Sequence, residues 1–143
     1  GTVCGVAESA MGVAVATGAG YTLWDSGPGS TAPRTHYVTG LRGGCAVQFT
    51  AALAMFGDVG THEVVRYNAS NAGRPYSATD LAYEQVKADF CGVAQGQPCG
   101  GRIDALARRS TFVTAYETFG TNPEWVEILI HDGALVATGV ESN

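Results

Sequence analysis

The sequence predicts an α+β domain: an antiparallel β-sheet with helices packed on one face, in the order strands, helices, strands. Three observations carry this expectation. Short apolar and β-branched runs separated by glycine turns occupy the first forty residues. Apolar residues at helical spacing fill the middle, and the last third is dominated by Thr, Val, Ile, Tyr and Phe around one Asp-Gly pair.

Taken in order, Met11-Gly12-Val13-Ala14-Val15 alternates larger and smaller apolar residues, as a buried strand does. Thr17-Gly18-Ala19-Gly20 turns it into a second strand, Tyr21 to Trp24. Asp25 to Pro33 has no period and holds two prolines, which reads as a loop. Thr35 to Thr39 is rich in β-branched and aromatic residues and reads as a short strand.

Cys45, Phe49, Ala52, Leu53 and Phe56 form one stripe at helical steps, with Gly57 as a stop, so a helix is expected there. Thr61 to Tyr67 extends it as a second short helix, with Val64 and Val65 inward and Glu63 and Arg66 outward. After a loop from Asn68 to Pro75, Ser77 caps a helix with Asp80 three residues on. Ala82, Val86 and Phe90, joined by Tyr83, line its inner face, and it stops at Cys91-Gly92. Ile103, Leu106 and Ala107 have the spacing of one more short helix.

Thr111 to Phe119 then reads as a strand, and Thr121-Asn122-Pro123 breaks it. From Glu124 to Ile130, Trp125, Glu127 and Leu129 alternate with Val126, Ile128 and Ile130. Asp132-Gly133 marks a tight hairpin turn into Leu135 to Val140.

A chain of 143 residues fits a single domain, 1–143, and no linker, repeat or low-complexity tract divides it. Its 45% hydrophobic and 15% charged residues exclude disorder, which needs the opposite balance. With 13 acidic residues against 8 basic, the net charge of −5 repels phosphate backbones. The densest basic pair, Arg108-Arg109, is no nucleic-acid footprint, so no nucleic-acid partner is expected. No run approaches the ~20 apolar residues of a transmembrane helix. The apolar stretch from Val3 to Val15 is broken by Glu8 and lacks a basic start, so any signal peptide is expected to have been removed already.

Cys4, Cys45, Cys91 and Cys99 form an even set that allows three pairings. Cys91 and Cys99 flank a short, turn-rich segment that closes easily, which would leave Cys4 for Cys45. None is spaced as a zinc pair, and no C-x-x-C redox motif is present. Two disulfides, no metal and no cofactor are therefore expected, in the periplasm or outside the cell.

Catalytic signatures are absent, so the enzyme question leans towards no. There is no G-x-S-x-G elbow and no phosphate loop. His36, His62 and His131 are the three histidines, and His62-Glu63 and His131-Asp132 are only sequence neighbours. Cys45 after Gly43-Gly44 is a candidate thiolate at a helix start if it is not oxidised. Glu117, Glu124 and Glu127 could pair as carboxylates for glycoside hydrolysis, but a solvated strand face explains them as well.

The long loop region from Trp24 to Arg42 holds the candidate binding residues Trp24, Arg34, His36, Tyr37 and Arg42. Aromatic anchors beside guanidinium groups are what protein-binding hot spots favour.

Arg34-Thr35-His36-Tyr37-Val38-Thr39-Gly40, Gly44-Cys45 and Gln48 to Gly57 resemble uncharacterised exported proteins of alphaproteobacteria. The similarity continues through Tyr76-Ser77, Tyr83-Glu84, Cys91, Pro98-Cys99-Gly100 and His131-Asp132-Gly133, covering most of the chain. The resemblance implies a bacterial periplasmic location and brings no activity, so no residue takes a role from it.

The leading expectation is a non-catalytic periplasmic or secreted domain that binds a protein partner or forms part of an envelope assembly. It entails an exposed aromatic patch near Trp24 and Tyr37 and no deep polar pocket. One alternative is a small hydrolase using a His–carboxylate pair or Cys45. Another is a small-ligand binder with a cavity between sheet and helices.

Overall fold

The computed structural model describes residues 1–142 and has three layers rather than two: a sheet, a second sheet, and helices. The first sheet is built from β1 (Thr2–Val3), β2 (Val13–Gly18), β3 (Tyr21–Asp25), β4 (Arg34–Thr39) and β5 (Ala46–Ala51), in spatial order β1-β5-β4-β3-β2. The second has β6 (Leu53–Gly57), β7 (Ser110–Tyr116), β8 (Glu124–His131) and β9 (Ala134–Ser142) as a meander. In chain order α1 (Val59–Arg66), α2 (Ala78–Cys91) and α3 (Ile103–Ala107) come between β6 and β7. Every strand pairing is antiparallel, so the expected α+β class stands, with helices on one face of the second sheet only.

The expected helix over Cys45 to Phe56 is two strands. Val47, Phe49 and Ala51 turn inward while Gln48 and Thr50 are exposed, which is a period of two. The chain then passes from one sheet to the other at Ala52, which is fully buried and donates its N–H to the Tyr116 carbonyl. Arg34 secures this corner by donating to the Ala52 carbonyl and, bidentately, to Asp25 at 2.8 and 2.7 Å.

The second sheet is buried on both faces. Val113, Ile128 and Ile130 pack on Tyr21, Leu23, Val38 and Val47 of the first sheet. Phe112 and Leu129 point the other way, onto Val59, Tyr83, Val86 and Leu106 of the helical layer. The Asp132-Gly133 turn is as expected, with φ of 51° and 79° at its two central residues, the backbone an Asn-Gly or Asp-Gly hairpin adopts.

Both faces of α1 are the reverse of the sequence expectation. Val64 and Val65 are 72% and 57% exposed, whereas Glu63 and Arg66 are buried. Glu63 accepts from the Tyr83 hydroxyl and from the Cys99 N–H, and Arg66 donates to the carbonyls of Asn71 and Arg74 at 2.7 and 2.6 Å. Tyr76 also stacks under the Arg66 guanidinium, 4.0 Å from its ring centre. Hydrogen bonding thus overrides hydropathy in orienting this short helix.

The α2 cap follows the sequence: Ser77 and Asp80 form a reciprocal capping box, and Gly92 closes the helix in the left-handed conformation at φ 71°. Gly139 on β9 lets α2 approach, since a Cβ there would lie 2.6 Å from Thr79 Oγ1 and 3.1 Å from its backbone nitrogen. Two disulfides, Cys4–Cys45 and Cys91–Cys99, close loops in the first sheet and at the end of α2. No described helix is long and apolar enough to cross a membrane.

Candidate functional site

A cleft of about 280 Å³ opens between the helix-facing side of the second sheet and the walls formed by α1 and the start of α2. It is open to solvent, and its lining is mostly apolar with a few charged side chains among it. Alternation along β7, β8 and β9 sets its floor: Phe112 and Thr114, then Trp125 and Glu127, then Glu141. The α1 wall supplies His62 and Arg66, the loop before α2 supplies Arg74, and α2 supplies Asp80.

Glu127 is partly buried on the floor of the cleft. Its Oε1 accepts from Thr114 Oγ1 at 2.8 Å and from the Trp125 indole at 3.2 Å. Burial pushes its carboxyl up to about 7, with the charges of Glu141 and Asp80 adding to the rise and the two hydrogen bonds opposing it. Glu141 accepts from the Ser77 hydroxyl at 2.5 Å, and burial raises its carboxyl too. Across the cleft, burial lowers the His62 imidazole, which packs on the Phe112 ring with centroids 4.4 Å apart.

Two polar atoms in the α1 wall lack partners among the described residues: His62 Nε2 and Arg66 Nε are buried and unbonded. They stand 4.0 and 3.8 Å from the carboxylate oxygens of Asp80, beyond hydrogen-bond reach. Buried polar atoms are normally satisfied, so this pair is an exception among the wall residues of the cleft. Among the described residues, no group of three His, Cys, Asp or Glu side chains is placed to hold a metal ion.

The five binding candidates from the sequence lie elsewhere and do not converge. They span no single long loop, because β4 occupies Arg34 to Thr39. Trp24 and Tyr37 are cross-strand partners on the outer face of the first sheet, both half-buried. Arg34 and His36 point inward, around Asp25, with the His36 ring stacked on Phe49. Arg34 holds the Asp25 carboxyl down at about 2. Arg42 is exposed and pairs with Asp132 at the distant hairpin.

Cys45 is half of a disulfide and precedes a strand, so it is neither a thiolate nor at a helix start. His131 does meet a hydroxyl, Ser110 Oγ at 2.6 Å from Nδ1, but Ser110 is only 2% exposed and neither residue lines the cleft. Of the three carboxylates suggested from the last strands, Glu117 and Glu124 are exposed and only Glu127 enters the cleft.

Glu127 was readable as an inward residue, because it alternates in phase with Trp125 and Leu129. Its convergence with Glu141, Asp80 and His62 was not, since those come from three other elements. The chain matches no family model, no curated protein and no solved structure.

Proposed function

We propose that this protein is a non-catalytic, extracytoplasmic small-molecule-binding protein whose ligand occupies the cleft between the second sheet and the helices. The observation that carries this reading is the convergence of His62, Arg66, Asp80, Glu127 and Glu141 around the Trp125 indole in one open cleft. Ligand sites combine an apolar wall with a few placed polar groups, and 280 Å³ lies just below their usual range of about 300–1,000 Å³, which suits a small ligand. The two disulfides fit an oxidising compartment, and the resemblance to exported bacterial proteins supports the periplasm.

Binding is favoured over hydrolysis by geometry. A general base and its orienting partner work at hydrogen-bond distance, about 2.6–3.2 Å, whereas His62 and Asp80 are 4.0 Å apart. The cleft also holds no cysteine or serine to act as a nucleophile.

The test uses the two indole N–H signals of the ¹⁵N-labelled protein, from Trp24 and Trp125. Pools of small polar metabolites are expected to move the Trp125 signal and leave Trp24 in place. If every active pool moves Trp24 alone, or moves neither, the cleft is not a binding site.

A second reading, docking of a protein partner, is favoured by Trp24 and Tyr37 standing side by side on the outer face of the first sheet. It predicts that a partner captured by the folded protein is lost on Tyr37→Ala.

A further inference from the structure

The charges facing the cleft balance unevenly. From α1, Arg66 gives both terminal nitrogens to backbone carbonyls, and its charge faces Asp80 of α2 at 3.8 Å. Asp80 also accepts the Ser77 N–H at 3.1 Å, so this cation and anion offset one another. Asp58 is occupied in capping α1 through the Thr61 N–H. Exposed Arg74, from the loop, is bonded to the Ser142 carbonyl. His62, lowered by burial, is neutral.

Glu127 and Glu141 remain on the sheet. Each uses Oε1 for its protein donors, and among the described residues neither Oε2 receives a hydrogen bond. Glu127 is paired with Gly139, so Glu141 is its diagonal neighbour on the adjacent strand, a spacing of roughly 7–8 Å between backbones. Thr79 of α2 packs over the intervening glycine, so the two carboxylates meet a ligand from the cleft side, which both line. No lysine of the chain enters, because the one lysine, Lys87, is buried and bonded to Glu84 at 2.7 Å.

We propose that the ligand is a small organic cation, a primary amine that also carries a hydroxyl, with its ammonium held in the cleft by Glu127 and Glu141. The inference rests on the reading of the cleft as a ligand site and names the chemistry of its occupant. An ammonium has three donors and bridges two carboxylate oxygens through charge-assisted hydrogen bonds. The Trp125 ring beside Glu127 adds an aromatic face suited to a cation or to the ligand's apolar body.

The opposite wall supplies the second half of the recognition. Arg66, only 8% exposed, lines the cleft with an unpartnered Nε–H, and Asp80 stands next to it. A ligand hydroxyl accepts from that Nε–H and donates to Asp80, satisfying both at once. An anionic ligand would instead meet Asp80, Glu127 and Glu141 together.

Three probes of one shape test this: phenylethanolamine, 1-phenyl-1,2-ethanediol and mandelate, which carry an ammonium, a hydroxyl and a carboxylate on the same hydroxylated phenyl frame. Binding is measured at pH 8 by following cleft amides and the Trp125 indole by NMR. Phenylethanolamine is expected to bind at least tenfold more tightly than the other two. Glu127→Gln, which keeps an acceptor for Thr114, and separately Glu141→Gln are each expected to weaken the amine about tenfold and leave the diol unchanged.

Mandelate or diol binding in the cleft as tightly as the amine would overturn the cationic ligand while leaving the cleft a ligand site. So would folded glutamine variants that hold the amine as well as the unmodified protein does. No response of the cleft to any probe, up to millimolar concentration, would overturn both readings.

Discussion

Trp125 donates its indole N–H to Oε1 of Glu127, two residues along the same strand, so both side chains face the helical layer from one side of β8. This places a carboxylate where Leu129, next in phase, is fully buried. The site keeps Glu127 at the expense of stability, as functional positions often do.

The Glu127 carboxyl is raised from its ordinary 4.5 to about 7, so the folded protein holds a proton there that the unfolded chain releases. The stability this proton confers is complete below pH 4.5 and is lost as pH rises through 7. Glu127→Gln removes the loss. The variant is expected to be more stable than the unmodified protein by about 3 kcal/mol at pH 8 and by less than roughly 1 kcal/mol at pH 5. Urea unfolding at the two pH values measures this; a variant less stable than the parent at pH 8 would refute it.

Among the described residues Arg34 is the one donor that joins Asp25 to the Ala52 corner, and its loss leaves Asp25 with the Gly27 N–H and the His36 ring alone. Arg34→Met is expected to destabilise by about 3 kcal/mol, because a buried carboxylate loses its bidentate cation and keeps only the Gly27 N–H and His36. The Asp25 carboxyl is held at about 2, below its ordinary 3.8. Its pairing therefore stabilises above pH 4 and fades as pH falls towards 2, and the gap between variant and parent should narrow over that window. Thermal melts at pH 6 and pH 3 give the comparison, and an equal gap at both would contradict the ion-pair account.

The Cys91–Cys99 bridge closes an eight-residue separation around carbonyls that α2 uses, those of Ala94 and Gln97. Alkylation of the unfolded, unreduced protein should leave all four cysteines unmodified, and reduction should expose four thiols by intact mass. Replacing Cys91 and Cys99 by alanine is expected to lower stability by about 2–3 kcal/mol. Any thiol that alkylates before reduction would break the assignment.

The last three strands were legible from their Thr, Val, Ile, Tyr and Phe content and from the Asp-Gly turn that joins the last two. The stretch from Cys45 to Phe56 was misread for a physical reason. Its apolar residues belong to two strands in different sheets, and the phase change at Ala52 splices two alternations into an apparent helical stripe.

The α1 helix was misread because hydropathy ranks Val64 and Val65 above Glu63 and Arg66, while the structure buries the pair whose hydrogen bonds it can complete. The same inversion hid the site. Asp80 was visible only as a helix cap, Arg66 only as an outward residue and His62 only as a sequence neighbour of Glu63, until the fold set them opposite Glu127.

Lys87 has no exposed surface, and its ammonium is held by Glu84, the Tyr67 hydroxyl and the carbonyls of Ala94 and Gln97. The folded chain therefore presents amine-directed reagents with no side chain to react with. Acylation of Lys87 becomes a clock: it advances only when α2 and the loop after it open to solvent. Its rate in mild buffer reads how often this unit breathes, with a mass shift at one known residue as the record.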